Sequence, residues 1–198
     1  MKIMQNTFRN IALSILILAS VHAIAQTYNV GDIYVFPDGS KGIVCYVDPD
    51  NAKKGWAMAL TDLEGTYAMN TTSSTIPGLL TDTWGTGWSS SSFTYNGKKN
   101  TKTLLESGVS PAAEAVDFYN GWYIPNISQI MQMYNLSGVL KEPIEAAGGN
   151  INKFLSYNAI YWSSTPYSSS NQFYYHRFKA SYYGIEYRAT NATSQYYI

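Results

Sequence analysis

The sequence contains few of the side chains that carry most protein chemistry. It has a single cysteine, Cys45, and two histidines, of which only His176 lies beyond the first 25 residues. One cysteine excludes an internal disulfide, and one cysteine with one histidine cannot supply the ligands of a zinc site. Cys45 lies in an alternating apolar stretch, residues 43–47, which predicts a buried and unreactive thiol. Neither a metal nor a cofactor is therefore expected.

The motifs of the common enzyme classes are missing as well. The chain has no His-Glu-x-x-His pair, no Gly-x-Ser-x-Gly turn and no glycine-rich phosphate loop. Asp48 and Asp50 flank a proline, so we interpret them as turn residues rather than an acid–base pair or a weak Ca²⁺ site. His176 alternates with Tyr174 and Phe178, which favours a place in the core or at its rim over catalysis. We predict that the protein is not an enzyme; a hydrolytic role for His176 or a carboxylate is the alternative.

Charge is sparse. Charged side chains make up 13% of the chain, about half of the usual quarter. The 13 basic residues balance 13 acidic ones and form no run or patch in the sequence. Nucleic acid is therefore not an expected partner.

One long apolar run occurs, near the start of the chain. Residues 11–21 follow the basic residues Lys2 and Arg9 and precede a small-residue cleavage site that ends at position 25. This pattern predicts a signal peptide over residues 1–25 and one mature domain over residues 26–198, without a membrane span. We expect an exported protein at the cell surface, in the medium or in the periplasm; a retained membrane anchor is the alternative.

The rest of the chain predicts strands, then helices, then strands, which is an α+β fold. Three strands over residues 33–36, 42–47 and 55–60 are separated by turn signals and predict an antiparallel meander. The stretch 64–92 is interpreted as a long loop packed by two of its tryptophans, Trp84 and Trp88.

The predicted helices follow this loop. A short helix is expected over residues 102–107, and Ser110 with the next proline predicts the start of a helix that runs to residue 119. Asn126 and Gln129 predict a capping box at the next helix. A last helical stretch, residues 136–147, contains a proline and ends at two glycines.

Residues 161–184 hold six tyrosines and six serines in 24 positions, with two charges. Period-two alternation predicts a strand that places Tyr174, His176 and Phe178 inward. The same mixture of tyrosine, serine and asparagine builds antibody paratopes. We predict a ligand-binding face made of the outward strand residues and the neighbouring loops: Tyr167, Asn171, Phe173, Tyr175, Arg177, Tyr182 and Tyr183. The alternative is that tyrosine and serine only solvate a domain of low charge.

Two short motifs carry a family resemblance. Residues 121–125 read Gly-Trp-Tyr-Ile-Pro and residues 161–165 read Tyr-Trp-Ser-Ser-Thr. Together they resemble the C-terminal domains of bacterial collagen-like adhesins and the Fibrobacter-paralogous domains. These have the C-type-lectin-like fold, which also occurs in the formylglycine-generating enzyme and in the variable proteins of diversity-generating retroelements. The resemblance covers most of residues 28–198 and implies that ligands are met by the C-terminal region.

The chain departs from that family in several places. The family usually closes with a Val-Arg-x-Val-Arg-like strand, whereas this sequence stops at Ile198, so a short or truncated last strand is expected. His176 replaces an apolar residue. The calcium and sugar motifs of animal C-type lectins and the active-site cysteines of the formylglycine enzyme are absent, so neither activity is implied.

These observations predict an exported, non-enzymatic ligand-recognition or adhesion domain. The expected partner is a glycan or a surface protein of a host or a bacterium. One alternative is a structural subunit of a surface appendage, whose open last strand is completed by a partner strand. The other is a diversified receptor of the retroelement variable-protein type.

Overall fold

The computed structural model describes residues 27–72, 74–82, 94–156, 159–167, 171–179, 184–191 and 195–198, with the backbone alone at 178–179, 184–191 and 195. The predicted signal peptide and the side chains of Trp84, Trp88, Tyr182 and Tyr183 lie outside the described residues. No described helix combines the length and the apolar character needed to cross a membrane.

The described elements follow the order strands, helices, strands, which confirms the predicted α+β fold. The strands are β1 Ile33–Val35, β2 Lys41–Asp48, β3 Asn51–Ala59, β4 Tyr67–Ala68, β5 Ile160–Pro166, β6 Gln172–Lys179, β7 Gly184–Asn191 and β8 Gln195–Tyr196. The helices are α1 Gly97–Ser107, α2 Pro111–Ala115, α3 Ile127–Asn135 and α4 Ser137–Ala146.

The first three strands form the predicted antiparallel meander, in the order β1-β2-β3. Ile43 and Cys45 of β2 are fully buried in a core cluster with residues of α3 and α4. The pairing of β2 with β3 shifts between Val44 and Tyr46. Such a bulge redirects the following side chain, so Tyr46 comes to lie opposite Trp56.

The capping box at α3 is confirmed. The backbone N–H of Gln129 donates to Asn126 Oδ1 at 3.2 Å, and the backbone N–H of Asn126 donates to Gln129 Oε1 at 3.1 Å. This helix has an apolar stripe that is buried, with Ile127, Ile130 and Met131 at most 1% exposed. The stripe fixes α3 against the core because these side chains lie on one face of the helix and are buried together.

Two helix boundaries differ from the predictions. Helix α1 begins at Gly97 instead of residue 102. The sequence did not indicate this first turn because its buried side chains, Asn100 and Thr101, are polar and form no apolar pattern. Helix α2 ends at Ala115 instead of residue 119. Its next residue is extended, and a separate 3-10 turn, Phe118–Asn120, follows.

The C-terminal strands form the sheet β5-β6-β7, and β8 pairs with β4. Tyr197 also joins β8 to β5: its N–H donates to the Ile160 carbonyl at 3.0 Å, and its carbonyl accepts from the Trp162 N–H at 2.9 Å. The described residues 195–198 therefore lie between two strands.

The prediction that Phe173 and Tyr175 point outward is wrong. Phe173 is 3% and Tyr175 is 8% exposed, and both pack in a core cluster with Trp162. On the other face of β6, His176 is fully buried and Tyr174 packs against α3. Alternation places one set of side chains outside only when one face of the sheet is solvated, and here both faces of β6 are covered.

Candidate functional site

The predicted ligand-binding residues are only partly brought together. Tyr167 is 42% exposed, with its ring 5.3 Å from that of Tyr174. Asn171 and Arg177 are half-buried, and six positions along an extended strand separate them by about 20 Å. Phe173 and Tyr175 are in the core, whereas Tyr182 and Tyr183 lie outside the described residues. The described part of this face is therefore small.

A larger candidate site lies beside the first sheet. It is a cavity of about 710 Å³, a size typical of ligand pockets. We call it the aromatic cleft, after nine half-buried or exposed aromatic side chains at its border: Tyr28, Tyr34, Phe36, Tyr46, Trp56, Tyr95, Tyr119, Trp122 and Tyr123. Three buried aromatic residues, Phe154, Tyr161 and Trp162, border it as well. Eight of the nine rings are half-buried, and Tyr119 is 90% exposed. These nine rings therefore keep area that a ligand can cover.

One group of rings runs along β1. Ring centroids are 5.3 Å apart from Tyr28 to Tyr34, 4.8 Å from Tyr34 to Phe36 and 4.3 Å from Phe36 to Trp122. Gly42 lies opposite Tyr34, and a Cβ there would be 2.8 Å from a backbone oxygen of β3 and 3.4 Å from the Trp122 ring. The glycine thus lets the tryptophan approach the sheet.

A second group of rings consists of Tyr46, Trp56 and Tyr95. Their centroids are 4.7 Å apart for Tyr46 and Tyr95, 6.0 Å for Trp56 and Tyr95, and 6.5 Å for Tyr46 and Trp56. The Tyr95 hydroxyl donates to Gln132 Oε1 at 2.6 Å, and the Gln132 amide donates to the Cys45 carbonyl at 3.3 Å. These bonds hold the second group between α3 and the bulge of β2.

Burial governs the ionisation of several groups near the cleft. It raises the pKa of Tyr123 to about 12, while a hydrogen bond from the Gln129 amide acts in the opposite direction. It also raises the pKa of Tyr95 and raises that of the Cys45 thiol to about 12. The predicted burial of Cys45 is thus confirmed, and all three groups stay neutral near pH 7.

Asp82 lies in a different polar cluster, which is satisfied by the protein itself. Its carboxylate accepts from Asn126 Nδ2 at 2.7 and 2.9 Å, from Thr165 Oγ1 at 2.9 Å and from the Thr94 hydroxyl. The Ser128 backbone N–H also points to it at 3.3 Å. The described residues contain no group of three or more histidine, cysteine or carboxylate side chains placed to hold a metal ion. The Asp82 carboxylate thus links Asn126, at the start of α3, to Thr165 of β5.

His176 lies in the core, one of the two places predicted for it. Its ring is 5.1 Å from Phe154 and 6.0 Å from Tyr134, and its side chain is fully buried. Neither ring nitrogen has a hydrogen-bond partner in the part of the chain that the structure describes. Burial lowers the pKa of His176 to about 4.

We expect stability to fall in mild acid because of this histidine. The unfolded chain has a histidine pKa near 6.5, so it binds a proton before the folded protein does. The free energy of unfolding should therefore decrease by about 3 kcal/mol as the pH falls from about 6.5 to about 4. Urea denaturation of the protein and of His176→Leu at both ends of this range measures the effect. An equal pH dependence in the two proteins would contradict it.

The aromatic cleft could not be predicted from the sequence because its residues are spread from Tyr28 to Ile198 and no single motif joins them. Two local signals were present. Tyr34 and Phe36 share one face of a strand, and Gly42 follows in the next strand. Comparison of the chain with protein-family models, with curated proteins and with solved structures finds no match.

Proposed function

We propose that this protein is an exported, non-enzymatic recognition or adhesion domain whose ligand binds in the aromatic cleft. The observation that carries the proposal is a cavity of ligand size bordered by half-buried aromatic rings. Aromatic side chains lose little entropy on binding and give large contact areas, so they are enriched where proteins meet ligands. The predicted signal peptide and the single cysteine agree with export.

The chemistry around the cleft supports binding over catalysis. The carboxylates that border it are Asp48 and Asp62. Asp48 accepts the Asp50 N–H at 2.9 Å, and Asp62 accepts the Tyr161 hydroxyl at 2.8 Å. Each is engaged in holding the protein's own structure. His176 is buried among rings and is not one of the residues that border the cleft.

The resemblance to C-type-lectin-like adhesin domains points in the same direction. One of the two motifs that carry it, residues 121–125, contributes Trp122 and Tyr123 to the cleft. The other contributes the buried residues Tyr161 and Trp162, which also border the cavity. The Trp162 indole N–H donates to the Tyr67 carbonyl at 2.7 Å. The proposed ligand contacts therefore lie at residues 121–125 and on the first sheet, rather than on the C-terminal strand.

The test is a binding screen of the purified protein against glycans and surface proteins. Tyr46→Ala removes a ring from the cleft, and Tyr167→Ala removes an exposed ring outside it. We expect Tyr46→Ala to weaken binding by more than about tenfold and Tyr167→Ala to leave it unchanged.

The opposite pattern in two folded variants would assign binding to the C-terminal face. A well-folded protein that binds nothing in the screen would count against recognition. Circular dichroism and thermal unfolding of both variants establish that each is folded before its affinity is compared.

A further inference from the structure

We infer that the ligand of the aromatic cleft is a proline-rich peptide segment that carries acidic residues. This inference rests on the proposed function and names its ligand class. It comes from three properties of the cleft walls: flat aromatic rings, free hydrogen-bond donors and engaged acceptors.

Several donors that border the cleft are unused. Lys53, Lys54 and Lys98 form no ion pair with the described residues. The hydroxyls of Tyr34 and Tyr46 likewise make no hydrogen bond within the described part of the chain. These groups can all donate to a ligand.

Trp56 adds a donor of another kind. Its Nε1 is buried and has no hydrogen-bond partner among the described residues. An unsatisfied buried donor is costly to the folded protein, so a ligand acceptor at this position would remove that cost. The nitrogen is covered by neighbouring atoms, and a bound carbonyl would reach it by displacing them.

The two carboxylates and the Gln129 amide oxygen that border the cleft each already accept a bond from the protein. Besides the bonds to Asp48 and Asp62 described above, Lys153 lies 3.4 Å from the Asp62 carboxylate. Gln129 Oε1 already accepts the Asn126 N–H. With three ammonium groups and an indole N–H that are unpaired among the described residues, the cleft therefore suits a ligand that is rich in acceptors and in apolar rings.

A proline-rich segment has this combination. Proline has no backbone N–H, and in the polyproline II helix the carbonyls are free to accept. Such segments dock in aromatic-lined grooves because their helix is preformed and little entropy is lost. A neutral sugar, in contrast, brings a donor with every hydroxyl and no negative charge, so it matches the ammonium groups of the cleft less well.

The charges add the acidic requirement. Three lysines border the cleft against two carboxylates, one of which is paired with Lys153. The unpaired ammonium groups favour glutamate or aspartate in the ligand, and their attraction is screened by salt. We therefore expect a prolyl segment with an acidic end to bind better than the same segment with a basic end.

Three probes test the inference. Two are peptides with capped termini, a proline octamer ending in two glutamates and the same octamer ending in two lysines. The third is the oligosaccharide cellohexaose. Tryptophan fluorescence and calorimetry measure binding to the wild type, Tyr46→Ala, Trp56→Phe and the control Tyr167→Ala. We expect the glutamate peptide to bind best, by about tenfold over the lysine peptide, and to weaken in added salt. Tyr46→Ala should reduce its affinity by more than about tenfold, and Tyr167→Ala should not change it.

Trp56→Phe keeps a ring but removes the indole donor. Its affinity for the glutamate peptide should fall by about five- to tenfold. Its melting temperature should fall only modestly, because the smaller ring loses some packing against the core but no hydrogen bond is lost. This variant keeps the test decisive if Tyr46→Ala does not fold.

Binding of cellohexaose alone, lost in Tyr46→Ala, would overturn the peptide inference and leave the proposed function intact. Peptide binding that neither cleft variant changes would overturn the inference, since the peptide would then bind elsewhere. If none of the three probes binds, the inference is also overturned. If, in addition, no ligand in the wider screen binds, the proposed function is overturned as well.

Discussion

Replacing Asn100 with alanine is expected to lower the free energy of unfolding by about 4 kcal/mol. The side chain is fully buried, and its amide donates to the Leu80 carbonyl at 2.9 Å and to the Ser164 carbonyl at 3.0 Å. Its oxygen accepts the Leu80 N–H at 2.8 Å. Each backbone group left without a partner costs about 1 to 3 kcal/mol, and the small cavity adds to that. Urea denaturation measures the change.

Lys99→Ala is the matched control for Asn100→Ala. Lys99 is the preceding residue of α1 and its side chain is exposed, so its removal should change stability by less than about 0.5 kcal/mol. A loss below about 1 kcal/mol in Asn100→Ala would show that Asn100 does not connect α1, the Leu80 segment and β5 as described.

Replacing Gly97 with alanine is expected to cost about 4 kcal/mol as well, by overpacking. A Cβ at this buried position would overlap Gln129 Oε1 and lie 2.9 Å from both the Asn126 nitrogen and the Ile124 oxygen. Backbone atoms cannot yield as a flexible side chain can, so strain of about 3 kcal/mol is expected. Displacing Gln129 would also disrupt the capping box of α3, worth about 1 kcal/mol.

Gly138→Ala provides the opposite expectation in the same protein. Gly138 lies in α4, and a Cβ there meets no atom within 4 Å. Alanine should therefore stabilise the helix by about 0.5 to 1 kcal/mol. Thermal unfolding compares the two variants, and a loss of stability in Gly138→Ala similar to that in Gly97→Ala would contradict the packing argument.

The sequence predicted the elements whose signals are local. The meander of β1, β2 and β3, the cap at Ser110 and the capping box at Asn126 each depend on a few neighbouring residues, and all are present. The prediction failed at the start of α1, where the buried face is polar.

The ligand-binding face was harder to predict because it depends on which sides of strand β6 are covered by other parts of the protein. Period-two alternation separated Tyr174 and His176 from Phe173 and Tyr175 correctly, but no local signal revealed that a second layer covers the latter pair. The cleft depends on contacts between distant segments, such as Phe36 with Trp122. Neither feature can be read from spacing along a single strand.

The pairing of β4 with β8 has a consequence for the order in which the protein folds. Tyr67 and Tyr196 are partners across about 130 residues of chain, and Tyr197 then joins this pair to β5. Contacts of such long separation slow folding because a large loop must close before they form. Strand β4 can be joined to the sheet of β5, β6 and β7 only after residues 195–198 have been synthesised. The part of the core that depends on this pairing therefore stays incomplete until those residues have been made.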